Sequence, residues 1–398
     1  MNANTLIRCM AVVMAAAGSR AGAGEIAVRN SAELAEALRK LAPGTTVIIA
    51  PGSYRGGIYL SNVAGTAEAP IVIRGAEAEN PPVFSGGGSE ALHLSDCKYV
   101  VLSTLTVKGF GGNGINIDDG GTFDTPAHHV TVENVTFLET GPRGNHDSLK
   151  LSGVDDFRVR KCRFEGWGGS AIDMVGCHRG VIEDCAFVGR KGFSQDSGIQ
   201  IKGGSSDVLV QACFFDKAGD RAINLGGSTD LQYFRPRPGD SEAKGVTVAG
   251  SRFVGGEAAV AFVTADGGHV HHNTFVFPEK WLLRILQETD DPRFKPSRGG
   301  VFEDNLIVYD RRLAVFVNVG SRTAPETFRF RHNAWFHTGG AARKPSLPAE
   351  ETDGVYQVDP KLDKMLTPRM TAGSDDPRLK GIGADAYERP RTKARGAE

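Results

Sequence analysis

The sequence has almost no net charge: 46 Lys and Arg face 47 Asp and Glu over 398 residues, a balance of −1. No overall field favours nucleic acid or an anionic membrane surface. Long apolar runs are missing too, and no stretch approaches the roughly 18 apolar residues that a membrane-spanning helix needs. Six cysteines are present, one of them in the first 23 residues, and the remaining five are an odd number, which excludes a fully paired disulfide scaffold. Glycine is what the chain has in excess, with 51 residues against a usual share of about 7%. With 40% hydrophobic and 23% charged residues, this is a turn-rich globular composition.

Residues 1–23 read as a secretory leader: Arg8 precedes the apolar run 10–17, and Ala21, Gly22 and Ala23 supply small residues for cleavage. Its removal takes away two arginines and no acids, so the net charge becomes −3 and a secreted or periplasmic location is expected. Residues 24–44 read as an N-terminal cap. Asn30 and Glu33 form a capping box, Leu34, Ala37, Leu38 and Leu41 share one helical face, and Gly44 ends it. A repeat region follows over 45–340, then a C-terminal capping segment, 341–388, rich in Pro, Asp and Gly. A polar tail, 389–398, is expected to be disordered.

An eight-residue pattern recurs eight times: VTVENVTF (130–137), FRVRKCRF (157–164), GVIEDCAF (180–187), VLVQACFF (208–215), VTVAGSRF (246–253), GHVHHNTF (268–275), GVFEDNLI (300–307) and FRFRHNAW (328–335), with a weaker copy at 100–107. Starts lie 22 to 38 residues apart, so the minimal unit is 22 and the excess is loop. Position three is apolar, position eight is large and apolar, and position six runs Val, Cys, Cys, Cys, Ser, Asn, Asn, Asn. Between copies lies a second strand with period-two alternation, such as NGINID, DSLKLS, SAIDMV, SGIQIK and RAINLG. Only short parallel strands wound so that each coil rests on the last can bury such a repeat. The expected fold is all-β: a right-handed parallel β-helix of about ten coils rising about 4.8 Å each. Cys162, Cys185 and Cys213 then form a buried thiol stack too widely spaced for disulfides, continued by Ser251, Asn273, Asn305 and Asn333 as a polar ladder.

Outward positions distinguish the faces. On the eight-residue strand, charges of both signs alternate between coils, as suits a solvated ladder; His269, His271, His272 and His332 on that face lack an acidic ligand in register for zinc. On the other strand the outward column reads Tyr59, His93, Asn116, Lys150, Asp173, Gln200, Asn224, Ala261, Arg284 and Phe316. A sugar residue spans about 5 Å, close to the coil rise, so this column can offer each sugar of a polysaccharide its own polar group. Lys150 and Asp173 also read as a plain salt bridge. Lys202, two residues beyond Gln200, has only Val175 and Gly226 as ladder neighbours and reads as a lysine without a carboxylate partner. The longest insertion follows on the next coil and carries Tyr233, Phe234, Arg235 and Arg237, a candidate wall for the groove. His178 leaves the preceding coil at the same end, and a second insertion near 276–299 brings Trp281, Arg284, Gln287 and Glu288.

The stretch ALRKLAPGTTVIIAPGSYRGG with GTAEAPIVIRGA, within residues 32–76, resembles the N-terminal region of family-six polysaccharide lyases, the chondroitinase B and alginate lyase group, and SGIQIKGGSSDVLVQACFF (197–215) continues the likeness. The resemblance implies cleavage of uronate polymers by β-elimination, with a lysine as base, an arginine on the next coil and calcium neutralising the uronate carboxylate. Lys202 matches the lysine. The arginine's place falls near Gly226, with Arg221 at the strand's far end and Arg235 as a replacement from the arm. Asp173, Asp196 and Gln200 partly echo the calcium ligands. The local chemistry suits elimination, which needs a base and positive charge at the developing enolate, and Tyr233 can protonate the leaving oxygen. The expected partner is an acidic polysaccharide, bound by a monomer. The alternatives are a glycoside hydrolase, an epimerase and a non-catalytic carbohydrate-binding protein. A hydrolase would need paired carboxylates, whereas Asp173 stands alone in its ladder and Asp118, Asp119, Asp147, Asp196 and Asp220 lie at strand ends. A binding protein would use Trp167, Phe193, Tyr233 and Trp281.

Overall fold

The computed structural model describes residues 24–122, 124–340 and 344–390. The predicted leader 1–23 and residues 391–398 of the predicted tail lie outside the described residues. The chain winds into stacked coils whose strands pair in parallel. One strand from each of ten coils forms a ten-stranded sheet running from Ile58–Ser61 to Val315–Val319, and a 24-stranded sheet wraps the other sides.

The interior is built from columns of like side chains. Phe137, Phe164, Phe187, Phe215, Phe253 and Phe275 stack face to face with centroids 4.6 to 4.9 Å apart, the spacing that parallel pairing imposes. Cys162, Cys185 and Cys213 are free and buried in one column. The column continues as a hydrogen-bonded ladder: the backbone N–H of Cys213 donates to Ser251 Oγ, that of Ser251 to Asn273 Oδ1, that of Asn273 to Asn305 Oδ1, and that of Asn305 to Asn333 Oδ1, all at 2.9–3.1 Å. Each side-chain acceptor therefore satisfies a buried donor that a bend would otherwise orphan.

From 157 onward the eight-residue unit is not one strand, whereas its first full copy lies within the single strand Ala127–Thr140. Position five adopts a left-handed conformation in every full copy, with φ of 50 to 59° at Asn134, Lys161, Asp184, Ala212, Gly250, His272, Asp304 and His332. In the copies from 157 onward this splits the unit into two short strands, such as Arg158–Arg160 and Arg163–Trp167. The bend explains why positions three and six, an odd number of residues apart, both face inward. Asn and Asp tolerate this conformation, whereas Ala carries a Cβ penalty.

The outward column of the ten-stranded sheet pairs in register from Tyr59 through His93, Asn116, Lys150, Asp173, Gln200, Asn224 and Ala261 to Arg284. Its last member is Asn318, not Phe316. Phe316 packs against Tyr309 and Trp335, because a large apolar ring at the C-terminal coil gains more from the interior.

At the N-terminus, helix Ser31–Leu38 is capped by the Asn30 side chain and buries Leu34, Ala37 and Leu38. The C-terminal segment does more than close the last coil. After Val355–Tyr356 adds a final rung, the chain runs back along the wall, covering Phe214, Val254, Val276 and Leu306 with Met370 and Ile382. It is pinned by Arg252 to the Met370 carbonyl and by Tyr387 to Gln211. Arg389, expected to begin a loose tail, ion-pairs with Asp184 instead.

Replacing Ala212 by Gly relieves its left-handed strain and is expected to raise stability by up to about 1 kcal/mol. Gly250→Ala should cost more than about 2 kcal/mol, because its Cβ would lie 2.2 Å from the Tyr387 ring. Urea unfolding midpoints check both, and the same sign of change in the two variants would contradict the bend's role.

Candidate active-site cleft

A cleft of about 770 Å³ runs over the ten-stranded sheet, lined along its length by Tyr59, His93, Asp118, Lys150 and Lys202 and walled by Tyr233 and Arg235. The wall is the insertion 227–245, fastened at two points. The fully buried Glu242 carboxylate accepts from the backbone N–H of Gly203 (2.7 Å) and from the N–H and hydroxyl of Thr229 (2.7 and 2.8 Å). Burial raises its pKa against those hydrogen bonds. Gly203 follows Lys202 directly, so this carboxylate also sets the backbone beneath the lysine. At the other point Arg235 forks onto Asp155 at 2.6 and 2.7 Å and onto the Gly176 carbonyl.

On the floor, Asp173 is fully buried between two ammonium groups. Lys150 Nζ contacts its Oδ2, and Lys202 Nζ lies 3.3 Å from its Oδ1 at an angle that makes the contact electrostatic rather than a formed hydrogen bond. The prediction that Lys202 lacks a carboxylate partner is thus corrected. Asp173 is in register with Gln200, and the lysine side chain reaches it diagonally. Lys150 also lies 3.4 Å from Asp147, whose other oxygen accepts from the Ser170 N–H.

Burial alone would raise the Asp173 pKa, but Lys150 and Lys202 hold it below the ordinary carboxylate value. Burial would lower that of Lys150, yet Asp173 and Asp147 outweigh it and hold the ammonium above its ordinary range. Asp147 is the group that yields: burial, reinforced by the Asp173 charge, pushes its pKa up to about 6. Two lysines thus face one firmly ionised carboxylate and one that takes up a proton near neutrality.

The other predicted residues divide. Gln200 Oε1 accepts from Ser170 Oγ at 3.3 Å and lies 3.5 Å from Lys202 Nζ, on the floor beside the pair. Asn224 is next in the column but buried, its Oδ1 without a partner. Asn116 reaches His93 and Asp118. Tyr233 is half exposed on the wall. His178 is held by Ser206 and lines a separate recess with Arg237, behind Arg235. Arg221 pairs with Glu288, and Arg284 lies over the Trp281 ring and bonds Asn318, so neither lines the cleft. Arg235 is engaged by Asp155 and serves as a fastening.

Asp173 and Asp196 do not suit calcium. The two ammonium groups at Asp173 repel a dication, Asp196 feels Arg221, and no group of three His, Cys, Asp or Glu among the described residues could hold a metal. Sequence reasoning weighed Asp118 and Asp147 only as strand-end acids for hydrolysis and passed over Glu90 and Glu242, because strand ends and loops carry no ladder signal.

A carboxyl group whose pKa is raised in the folded state stabilises the fold fully below its ordinary value of 3.8 and loses that contribution as pH rises past about 6. Asp147→Asn is therefore expected to flatten the decline in stability between pH 4 and 7. Melting temperatures across that range check this, and parallel curves for the two proteins would contradict it.

In comparison with known proteins, the family description "Right handed beta helix region" matches residues 90–279. No curated protein sequence matches the chain. Among solved structures, an alginate lyase from Paenibacillus sp. str. FPU-7 superposes with a TM-score of 0.51 at 17% identity, over 75% of this chain and 96% of that one. The PL6 family alginate lyase AlyGC gives 0.54 at 15% identity, over 90% of this chain and 56% of that one. Pectate lyase Pel9A gives 0.53 at 14%, over 81% and 82%. Identities this low establish shared architecture, and with the stacked parallel coils they identify the fold of this chain as a right-handed parallel β-helix of the pectate-lyase type.

Proposed function

We propose that this protein is a polysaccharide lyase that cleaves a uronate-containing polymer by β-elimination. The observation that carries the reading is the pair of ammonium groups, Lys150 and Lys202, converging on one buried carboxylate at the floor of an open cleft. Asp173 orients both lysines, while their partly exposed sides, 18% and 14% accessible, face the substrate. A uronate carboxylate laid on this floor meets Lys150, and its negative charge favours protonation of Asp147, which leaves the lysines with less competition.

In the reaction, Lys202 first gives up its ammonium proton to solvent and, as the amine, takes the proton from the carbon bearing the carboxylate. The electron pair of that C–H bond becomes the new carbon–carbon double bond, and the neighbouring glycosidic C–O bond breaks. The leaving oxygen takes a proton from Tyr233, while Lys150 stabilises the enolate-like charge that develops on the carboxylate. The reading needs no metal. Export by the leader 1–23 belongs to the same proposal, since a polysaccharide of this kind is met outside the cytoplasm; no helix among the described residues is long and apolar enough to cross a membrane.

The test is ultraviolet absorbance of the unsaturated product on a panel of uronate polymers. Lys202→Ala is expected to lower kcat by about 10³-fold or more, and Tyr233→Phe by about 10²-fold. Lys150→Ala should raise KM as well as lower kcat. Absorbance that persists undiminished in Lys202→Ala would overturn the assignment of the base. Reducing ends formed without absorbance would overturn elimination in favour of hydrolysis.

A further inference from the structure

The cleft does not have one character along its length. Toward its N-terminal end Tyr59 is 61% exposed, the most exposed large apolar side chain among the described residues, and its ring makes a T-shaped contact with His93, with centroids 5.0 Å apart. His93 is bracketed by two carboxylates, with Glu90 Oε1 3.1 Å from Nδ1 and Asp118 Oδ2 2.6 Å from Nε2. Asp118 is fixed from below by the Ser95 hydroxyl and the Gly120 N–H, and Asn116 donates to it from the side. Two carboxylates against one imidazole leave net negative charge in either protonation state of the ring. This end repels a uronate, but an exposed aromatic ring beside fixed carboxylate oxygens is what an uncharged pyranose needs.

Register sets the distance. Tyr59 is three rungs from Lys150, while Asp118 is one rung from the strand of Lys150 and three from Lys202 through Ser152 and Val175. Three rungs are about 14 Å, or about three sugar residues. We propose that the Tyr59 end of the cleft is a binding site for an uncharged sugar, three rungs from Lys150 and five from the strand of Lys202. The natural polymer would then combine uronate with neutral sugars. This rests on the uronate reading of the lysine floor and narrows its substrate class.

Two polymers separate the possibilities: polymannuronate, charged at every residue, and hyaluronan, in which glucuronate alternates with N-acetylglucosamine. Binding is measured by affinity electrophoresis, and cleavage by absorbance. The wild type should bind hyaluronan more tightly than polymannuronate. Tyr59→Ala should weaken hyaluronan binding about fivefold to tenfold. The isosteric pair Glu90→Gln and Asp118→Asn, which removes the charge and keeps one acceptor oxygen at each position, should strengthen polymannuronate binding about tenfold. Preference of the wild type for polymannuronate, or a binding ratio unmoved by these variants, would overturn the proposal. If hyaluronan is bound with this selectivity but neither polymer is cleaved, elimination on these substrates fails while the neutral-sugar site stands. Binding of neither polymer would overturn both.

Discussion

Parallel pairing places each residue about 4.8 Å above its counterpart in the coil below, and the rest of the structure follows from that spacing. A residue type that packs well against a copy of itself at this distance can be repeated indefinitely. The phenylalanine column meets the condition with parallel rings, and the asparagine ladder meets it by giving each coil's side chain a backbone donor in the next. A charge cannot be stacked on itself in this way. Outward columns therefore alternate sign or become polar, and departures from that rule mark places where something other than packing has set the residue.

The floor of the cleft is such a place. Burying Asp173 completely is costly, and removing either lysine from a pair that compensates it would leave an exposed imbalance in a low-dielectric site. A hydrophobic floor would have been the more stable solution, as Ala261 shows three rungs along the same column. When Asp147 is protonated the two lysines face one carboxylate, and an incoming carboxylate would balance the positive charge left over. The strain is localised in Asp147, the one acid of the group pushed toward neutrality.

The insertion 227–245 converts a flat sheet face into a cleft without disturbing the coils. Its fastenings, Glu242 under Gly203 and Arg235 onto Asp155, attach it to the coils that carry Lys202 and its neighbours. Tyr233 is consequently presented from a wall that shares its backbone supports with the floor. The C-terminal segment plays the corresponding part on the opposite flank, clamping successive coils through Ile382, Tyr387 and Arg389.

The period of the repeat, the inward columns and nearly all of the outward column were legible in the amino-acid order, because stacking requires like residues at equivalent positions and alternation reveals which side each faces. What the order left open is what each outward side chain meets. Lys202 finds Asp173 diagonally across rungs rather than along its own, and Arg235 is drawn from the arm onto Asp155, 80 residues earlier. Phe316 yields its expected place to Asn318, because the local packing of the last coils overrides simple alternation. The left-handed bend at position five was present as a run of Asn, Lys, Asp, Ala, Gly and His, yet only the inward facing of both positions three and six discloses it. Sequence alone determined the coil and its columns, since these depend on nearest-rung contacts. Tertiary structure decided the site, since its charges are paired by loops of unequal length and by long side chains that reach past their own rung.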